Sequence, residues 1–344
     1  MFIVNIVFAW EHAVARTTEK ELGMIASHRF PMYKPIKDKV NLDFLMYFFL
    51  RKKGKHLLGL ASPGGAGRNK TLGQQAFAKL KVNIPTLPEQ QKIANFLSSV
   101  DKKIEQLRQK VSLLEDYKKG VMQQIFSQKI RFKDDNGEAF ADWEVKRFGE
   151  IFSFIRTNSF SRNLLNYDSG EVKNIHYGDI HTKFKGLLDL SKEKVPYLNQ
   201  EVDISKVAEE DYCQEGDLVI ADASEDYADI GKSIEVVNLN NERLVAGLHT
   251  YIARSNTKMA LGFKSYLMQC WDIRHKVMVI ATGVSVLGIS KTNLSKITIE
   301  FPCVKEQQKI ANFLSSIDDK IQQSQQQLEK TKQFKKGLLQ QLFV

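Results

Sequence analysis

The sequence predicts an α/β protein in which two α/β domains, the first of them incomplete, alternate with two long antiparallel coiled-coil helices. Three observations carry that prediction. The sixteen residues from Glu89 to Ile104 return from Glu306 to Ile321 with fourteen identities, at an offset of 217. Apolar residues from Ile93 to Leu114 in the first copy step alternately by four and three, the heptad seam of paired helices. Between the copies lies a long stretch in which strand patterns mix with a helical one. The repeat register continues without a gap, so Lys118-Lys119-Gly120 meets Lys335-Lys336-Gly337. A period this long marks a duplicated domain unit, not a solenoid. Two copies in one chain suit a pseudo-symmetric molecule that holds something itself two-fold related.

Residues 1–83 form the C-terminal part of the first domain. Met1 to Trp10 is apolar but lacks a basic leader and meets Glu11 and His12 at once, so it reads as a buried strand and not as a signal peptide or a span. The segment matches only the second half of 127–301. Ile3-Val4-Asn5 aligns with Val219-Ile220-Ala221, and Ala26 to Phe30 with Gly247 to Tyr251, which sets His28 against His249. Phe44-Leu45 aligns with Tyr266-Leu267, and Leu72-Gly73 with Leu287-Gly288. A counterpart of 127 to about 216 is missing, so the chain reads as starting inside its first domain.

Residues 84–126 form the first long helix. Thr86-Leu87-Pro88-Glu89 has capping-box spacing with proline in the first turn. The seam is Ile93, Leu97, Val100, Ile104, Leu107, Val111 and Leu114, and a run to Phe126 makes a rod of roughly 60 Å. Residues 127–301 form the second domain, with strands at Leu218–Ile220, Ser233–Val237 and Tyr251–Ala253, a helix near Phe263–Ile273, and turns at Asn136-Gly137, Ser169-Gly170 and Glu215-Gly216. Residues 302–344 form the second helix, with a seam of Ile310, Leu314, Ile317, Ile321, Leu328, Phe334, Leu338 and Leu342. It carries Ser324 and Thr331 where the first helix has Leu107 and Leu114, polar positions that fix register at a cost in stability. Strand-like lead-ins, Leu80 to Pro85 and Ile297 to Pro302, precede both helices, so each repeat unit includes a globular domain. Antiparallel pairing of the rods would throw those domains to opposite ends, giving a dumbbell.

Composition excludes more than it selects. Apolar content of 43% with 26% charged residues is that of an ordinary globular chain, and 344 residues suffice for about two domains. Cys213, Cys270 and Cys303 show no C-x-x-C spacing and an odd count, which fits a reducing cytoplasm and argues against structural zinc or disulfides. The net charge of +10 divides as +9 for 1–83, +2 for 84–126, −4 for 127–301 and +3 for 302–344. A basic surface favours a polyanion such as nucleic acid, although many basic proteins bind none.

At this point the residues carry a resemblance that covers essentially the whole chain. The run Pro88-Glu89-Gln90-Gln91-Lys92-Ile93-Ala94-Asn95-Phe96-Leu97, the helix ending Lys118-Lys119-Gly120 with Gln123-Gln124, the link Lys129 to Lys133 and Trp143-Glu144 opening the next domain resemble the specificity subunits of type I restriction-modification enzymes. The second copy departs by placing Lys305 at the proline position, and the family normally has a complete first domain. The resemblance implies two target-recognition domains, each reading one part of a bipartite double-stranded DNA sequence, with two antiparallel helices setting the distance between the parts. It further implies docking of two methyltransferase subunits and of restriction subunits in the cytoplasm, and no catalysis by this chain. S-adenosylmethionine, ATP and Mg²⁺ are then expected on the partners and no cofactor or metal on this chain. A rod of roughly 60 Å corresponds to about 17 base pairs of B-DNA, which agrees with separated half-sites.

Other chemistry is weakly represented. Glu144-Val145-Lys146 after Asp134 or Asp135, and Glu171-Val172-Lys173 after Asp168, have the E-x-K ending of nucleases that hold Mg²⁺, but such triplets are common in a charged chain and a solvated surface explains them. Gly64-Gly65-Ala66-Gly67-Arg68-Asn69-Lys70-Thr71 lacks P-loop spacing and reads as a loop touching phosphate through Arg68 and Lys70. His28 and His249 read as structural. For DNA contact the first candidates are Asn174, His176, Tyr177, Asp179, His181, Lys183 and Lys185, which mix base-reading groups with aromatic and cationic ones. An ordinary strand and loop is the alternative there. Arg156, Arg162, Arg254, Arg274, Lys276 and Lys291 are backbone-contact candidates on composition, while the acidic stretches Glu209–Asp211 and Asp222–Asp229 should face away from DNA or face a partner. The rival functions are a remnant that docks the methyltransferase without selective DNA binding, a stand-alone nuclease using Glu144 and Lys146, and a pure coiled-coil scaffold.

Overall fold

The computed structural model describes residues 1–64 and 70–343. They form two compact units, Met1–Leu113 with Ile321–Val344, and Leu114–Lys320. In the first unit, β1 (Phe2–Val4) is the centre of a three-stranded antiparallel sheet between β2 (Val14–Arg16) and β3 (Met32–Tyr33). Helices α1 (Leu42–Leu50), α2 (Lys52–Leu60) and α3 (Gln74–Ala78) follow, and then the long α4 (Leu87–Phe126) begins. Asn41 starts α1 because its side-chain oxygen accepts the Phe44 N–H at 2.9 Å, satisfying a donor that the first turn leaves free. The core is aromatic, built on Phe2, Phe44, Phe48, Phe49 and Leu58. Gly54 is needed where α2 crosses α1, since a Cβ there would lie 2.5 Å from the Phe49 Cα.

The second unit opens with β4 (Glu144–Arg147), α5 (Phe148–Ile151), β5 (Phe152–Ile155), β6 (Leu165–Asn166), β7 (Val172–Ile175), α6 (Tyr177–Thr182), β8 (Leu187–Asp189) and β9 (Tyr197–Leu198). It continues with β10 (Leu218–Ala221), β11 (Ala223–Ser224), β12 (Ser233–Asn238), β13 (Arg243–Ala246), β14 (Thr250–Ser255), α7 (Phe263–Gln269), α8 (Trp271–Ile280), β15 (Leu287–Gly288), α9 (Lys291–Lys296) and β16 (Thr298–Phe301), before α10 (Val304–Gln341). Five strands lie in the order β5-β14-β10-β12-β8 and four in the order β13-β7-β9-β6, with β11–β15 and β4–β16 as two-stranded ribbons. One apolar cluster draws on both larger sheets through Ile175, Leu188, Val219, Ile234, Leu244 and Ile252. Strand β10 is buried at every position, which is why its sequence is an uninterrupted apolar run.

The seam residues of the long helices are buried at Leu97, Val100, Ile104, Leu107, Ile310, Leu314, Ile317, Ile321 and Leu338, and Ile93, Val111, Leu114 and Leu328 are half-buried, whereas Phe334, expected in the seam, is exposed. Ser324 is a polar seam position in fact, only 3% exposed. An ion pair ties the two helices within each unit. Lys335 meets Asp101 at 2.5 Å in the first, and Lys118 meets Asp318 at 2.7 Å in the second. These are the same two repeat positions with the helices exchanged, as antiparallel pairing requires.

Each aspartate also receives a tyrosine hydroxyl from the adjoining domain. Tyr47 donates to Asp101 and Tyr266 to Asp318, both at 2.8 Å, and the lysine lies over the same ring in each case. Burial, together with the aspartate, pushes the Tyr47 phenol up to about 12 and Tyr266 higher still. The repeated Gln-Gln has a matching role. Buried Gln90 accepts the Asn41 N–H at 2.9 Å and donates to the Pro85 carbonyl at 2.8 Å, while Gln307 accepts the Ala260 N–H at 2.9 Å and donates to Pro302 at 2.7 Å.

These bonds correct part of the internal alignment. Tyr266 corresponds to Tyr47, not Phe44. Arg29 occupies the place of His249, since each carbonyl accepts the N–H of matching Ile6 and Asp222. Leu72 corresponds to Ile289, whose N–H bonds Asp222 as that of Leu72 bonds Ile6. The match of Ile3 with Val219 holds, because their sheet partners are Met32 and Ile252. Short loop insertions shift the register between elements, which a gap-free comparison misses.

Three element expectations also change. The apolar N-terminus is a strand only over Phe2–Val4 and then turns. The helix near Phe263–Ile273 is two helices broken at Cys270. Of the two lead-ins, only the second is a strand: β16 pairs with β4, whereas Lys81–Ile84 has no such partner among the described residues.

Candidate nucleic-acid interface

The candidate segment 174–185 runs from the interior of the second unit to its surface, and its members divide accordingly. Asn174, inside β7, is fully buried beside Gly247, and neither atom of its amide has a partner among the described residues. Its amide offers no group at the surface. Asp179 is likewise interior, gripped by Arg162 through two bonds of 2.8 Å and by Lys183 at 2.9 Å. Burial alone would raise this carboxyl, but the bonds from Arg162 and Lys183 outweigh it and hold it below its ordinary value. Asp179 is therefore the anchor of two cations, Arg162 and Lys183.

His176 caps α6 by accepting the Gly178 N–H at 3.0 Å. Burial, and then the nearby Arg162, lower its basicity, so the neutral ring is favoured. Tyr177 is stacked on His176 at 4.7 Å and meets the edges of His181 and His249 at 6.2 and 5.4 Å. His181 is fixed by the Ala223 carbonyl at 3.0 Å.

Beyond this aromatic cluster opens a groove of about 550 Å³ lined by His181, Lys183, Lys185, Lys232 and Arg274, with Asp229 as its acidic member. Arg274 donates one amine to the Ala228 carbonyl, while its Nη1 is enclosed without a partner among the described residues, and burial lowers its pKa. Such a concave cationic site is suited to a phosphate oxygen, which would satisfy the enclosed donor.

Lys232 went unrecognised in the sequence because it follows the acidic stretch Asp222–Asp229, expected to face away from DNA or to face a partner. The structure instead folds that stretch against the groove. Asp222 lies 3.3 Å from His249, and Asp229 lies 4.0 Å from His181 and 3.7 Å from Lys232. The acids trim the charge of this face and orient its rings.

The other cations scatter. Arg254 is bound to buried Asp217 at 2.8 Å, Lys276 to Asp272 at 2.6 Å, and Lys291 covers the rings of Phe154 and Tyr251. Arg156 is exposed at a separate cavity of about 330 Å³. In the first unit Lys70 lies 5.9 Å from the Trp10 ring, and Arg68 is outside the described residues. The E-x-K triplets assemble nothing: Glu144 and Lys146 pair with each other at 2.6 Å on the surface, Lys173 pairs with Glu242, and no cluster of metal-binding side chains occurs among the described residues. No helix among them is long and apolar enough to cross a membrane.

The fold, sheet-based domains followed by long helices, is shared with solved structures. The HsdS subunit of Thermoanaerobacter tengcongensis superposes with a TM-score of 0.51 at 14% identity, covering 99% of this chain and 80% of that one. A chain from a study of complex assembly and conformational transition in the type I R-M system gives a TM-score of 0.55 at 15% identity, covering 99% and 81%. The type I restriction enzyme MjaVIII specificity subunit of Methanocaldococcus jannaschii is 24% identical over 315 residues, 88% of this chain and 70% of that protein. The family model for the type I restriction modification DNA specificity domain matches residues 5–115 and 141–333, and the chain belongs to that family.

Proposed function

We propose that this chain is the DNA sequence-recognition subunit of a type I restriction-modification complex, reading a bipartite target and positioning partner subunits without catalysis of its own. The observation that supports this most directly is the repeated attachment of a domain to the helix pair, in which Tyr47 with Asp101 and Lys335 recurs as Tyr266 with Asp318 and Lys118. A molecule built to present two readers on one frame needs each reader fixed to both helices.

In this reading residues 1–83 and 127–301 belong to the readers, 84–126 and 302–344 to the spacer, and Tyr177, His181, Lys183, Lys185, Lys232 and Arg274 form the contact face of the second reader. Two methyltransferase subunits dock on the helices and restriction subunits add to them, in the cytoplasm. S-adenosylmethionine, ATP and Mg²⁺ are held by those partners.

Sequencing of methylated sites in cells expressing the chain with a cognate methyltransferase subunit tests the proposal. A two-part motif is the expected result. A single or palindromic half-site would restrict reading to the second unit. Absence of methylation, with the methyltransferase still co-purifying, would favour a docking remnant, a reading supported by the small three-stranded sheet of the first unit.

A further inference from the structure

The base of α10 in the second unit is covered by the chain that leaves α4. Arg131 enters buried Glu306 through bonds of 3.2 and 2.7 Å, and the Trp143 indole donates to the same carboxylate at 3.3 Å. Phe132 packs edge-on against Phe313, Lys309 donates to the Lys133 carbonyl and to Asp135, and β4 adds to β16 over four residues.

The base of α4 in the first unit repeats this surface at the offset of 217, as Glu89 for Glu306, Lys92 for Lys309 and Phe96 for Phe313. The surroundings are equivalent too. Gln90 and Gln307 make the same bonds, and Phe343 seats against Phe44 at 5.1 Å as Phe126 does against Phe263 at 6.0 Å.

Yet none of the described residues covers this surface as 127–147 cover the other. Glu89 and Lys92 are exposed and Phe96 is 44% exposed. Val82 and Ile84 are half-buried where Ile299 and Phe301 are fully buried, and Lys81–Ile84 is not a strand. A glutamate in the first turn of a helix needs no partner by itself. An acid, an exposed aromatic and a lead-in without a strand partner among the described residues, all placed as in an occupied copy, specify an occupant together.

We propose that this face of the first unit binds a further extended segment with the chemistry of residues 127–147, placing an arginine on Glu89, an aromatic ring on Phe96 and a strand along Lys81–Ile84. Residues 127–147 supply the chemistry required: a basic-aromatic Lys129-Ile130-Arg131-Phe132 run followed by a tryptophan-led strand. This chain's copy in residues 127–147 is already engaged by Glu306, so the occupant is a further segment of the same chemistry. Strand addition gives the main-chain affinity, and the arginine and aromatic positions give selectivity.

A fluorescent peptide of residues 127–147, titrated with the full chain and followed by anisotropy, tests the proposal without reference to DNA. Saturable binding of one peptide per chain is expected. Glu89→Ala or Phe96→Ser in the chain, or Arg131→Ala in the peptide, should weaken it by about tenfold, the factor for a charge-assisted bond. Glu89→Arg should prefer a peptide carrying Arg131→Glu. Both chain positions are exposed, so these variants keep the native circular dichroism. No binding by the natively folded chain would overturn the proposal. So would binding unchanged by Glu89→Ala and Phe96→Ser, which is what displacement of the chain's own segment in the second unit would give.

Discussion

Glu89 and Glu306 stand at the same place in the same repeated sequence, one exposed and the other 0% exposed. The sequence within the block does not decide between these states. What decides is whether a distant segment arrives to cover the helix base, as residues 127–147 do in the second unit. By contrast, the clamps of Tyr47 and Tyr266 share the same bond to aspartate and the same lysine contact, because all three groups lie inside the repeated domain and helices. Features wholly within the repeat are duplicated, and those that need a segment outside it are not.

The largest test of that comparison is to remove each glutamate. Glu306→Ala strands Arg131 and the Trp143 N–H and should cost about 2–4 kcal/mol, below the full value for a broken buried pair because Arg131 is 23% exposed. Glu89→Ala should stay within about 0.5 kcal/mol, as for an ordinary surface site. Thermal melts of the two variants, read beside local hydrogen exchange, give the difference directly. Equal losses would mean that the two bases are not in different states.

Acid should also separate the units. In the second unit burial opposes but hydrogen bonds outweigh it at Asp179, and at Asp189 the bonds from Ser191 and Lys192 bring the carboxyl to about 2. Both lie below their ordinary 3.8, so the stability they contribute is complete above that value and is lost as pH falls from about 4 toward 2. The depressed acids of the first unit, Glu21 and Glu329, lie on its surface. Hydrogen exchange at pH 3 should therefore show the 179–192 region loosening before the first unit's core, and the reverse order would contradict the buried anchoring of Asp179.

Next in size are the clamps. Tyr47→Phe and Tyr266→Phe each remove one hydrogen bond to an aspartate, and each should cost about 1–1.5 kcal/mol. Similar shifts in urea midpoint are expected for both, whereas a large inequality would break the equivalence of the two attachments. The smallest effect concerns DNA. Lys232→Ala should lower the slope of log affinity against log salt by about 1 with little change in base preference, and Lys291→Ala, whose ammonium covers aromatic rings, should leave the slope unchanged. Binding at a series of salt concentrations resolves the two.

The long helices were legible because their information is local and periodic: the predicted end at Phe126 is the observed one, and buried Leu97, Ile104, Leu314 and Ile317 are seam positions. Strands β10, β12 and β14 were found from apolar runs for the same reason. The site was less legible. Asn174 and Asp179 looked like base readers by residue type, but their direction depends on which face of the sheet and helix meets the core. Lys232 was hidden by its acidic neighbours in sequence, although folding brings His181 and Arg274 to it instead.

The sequence by itself determined the duplication, the two helices with their seams and the family, since repeats and periodicities are properties of neighbouring residues. Only the tertiary structure decided that Tyr266 answers to Tyr47, that the acids after Asp222 support the cationic groove, and that Glu306 is covered while Glu89 is open. Each of those depends on which distant segments meet. Meeting is set by loop lengths and by the burial of whole faces, neither of which one residue's identity encodes.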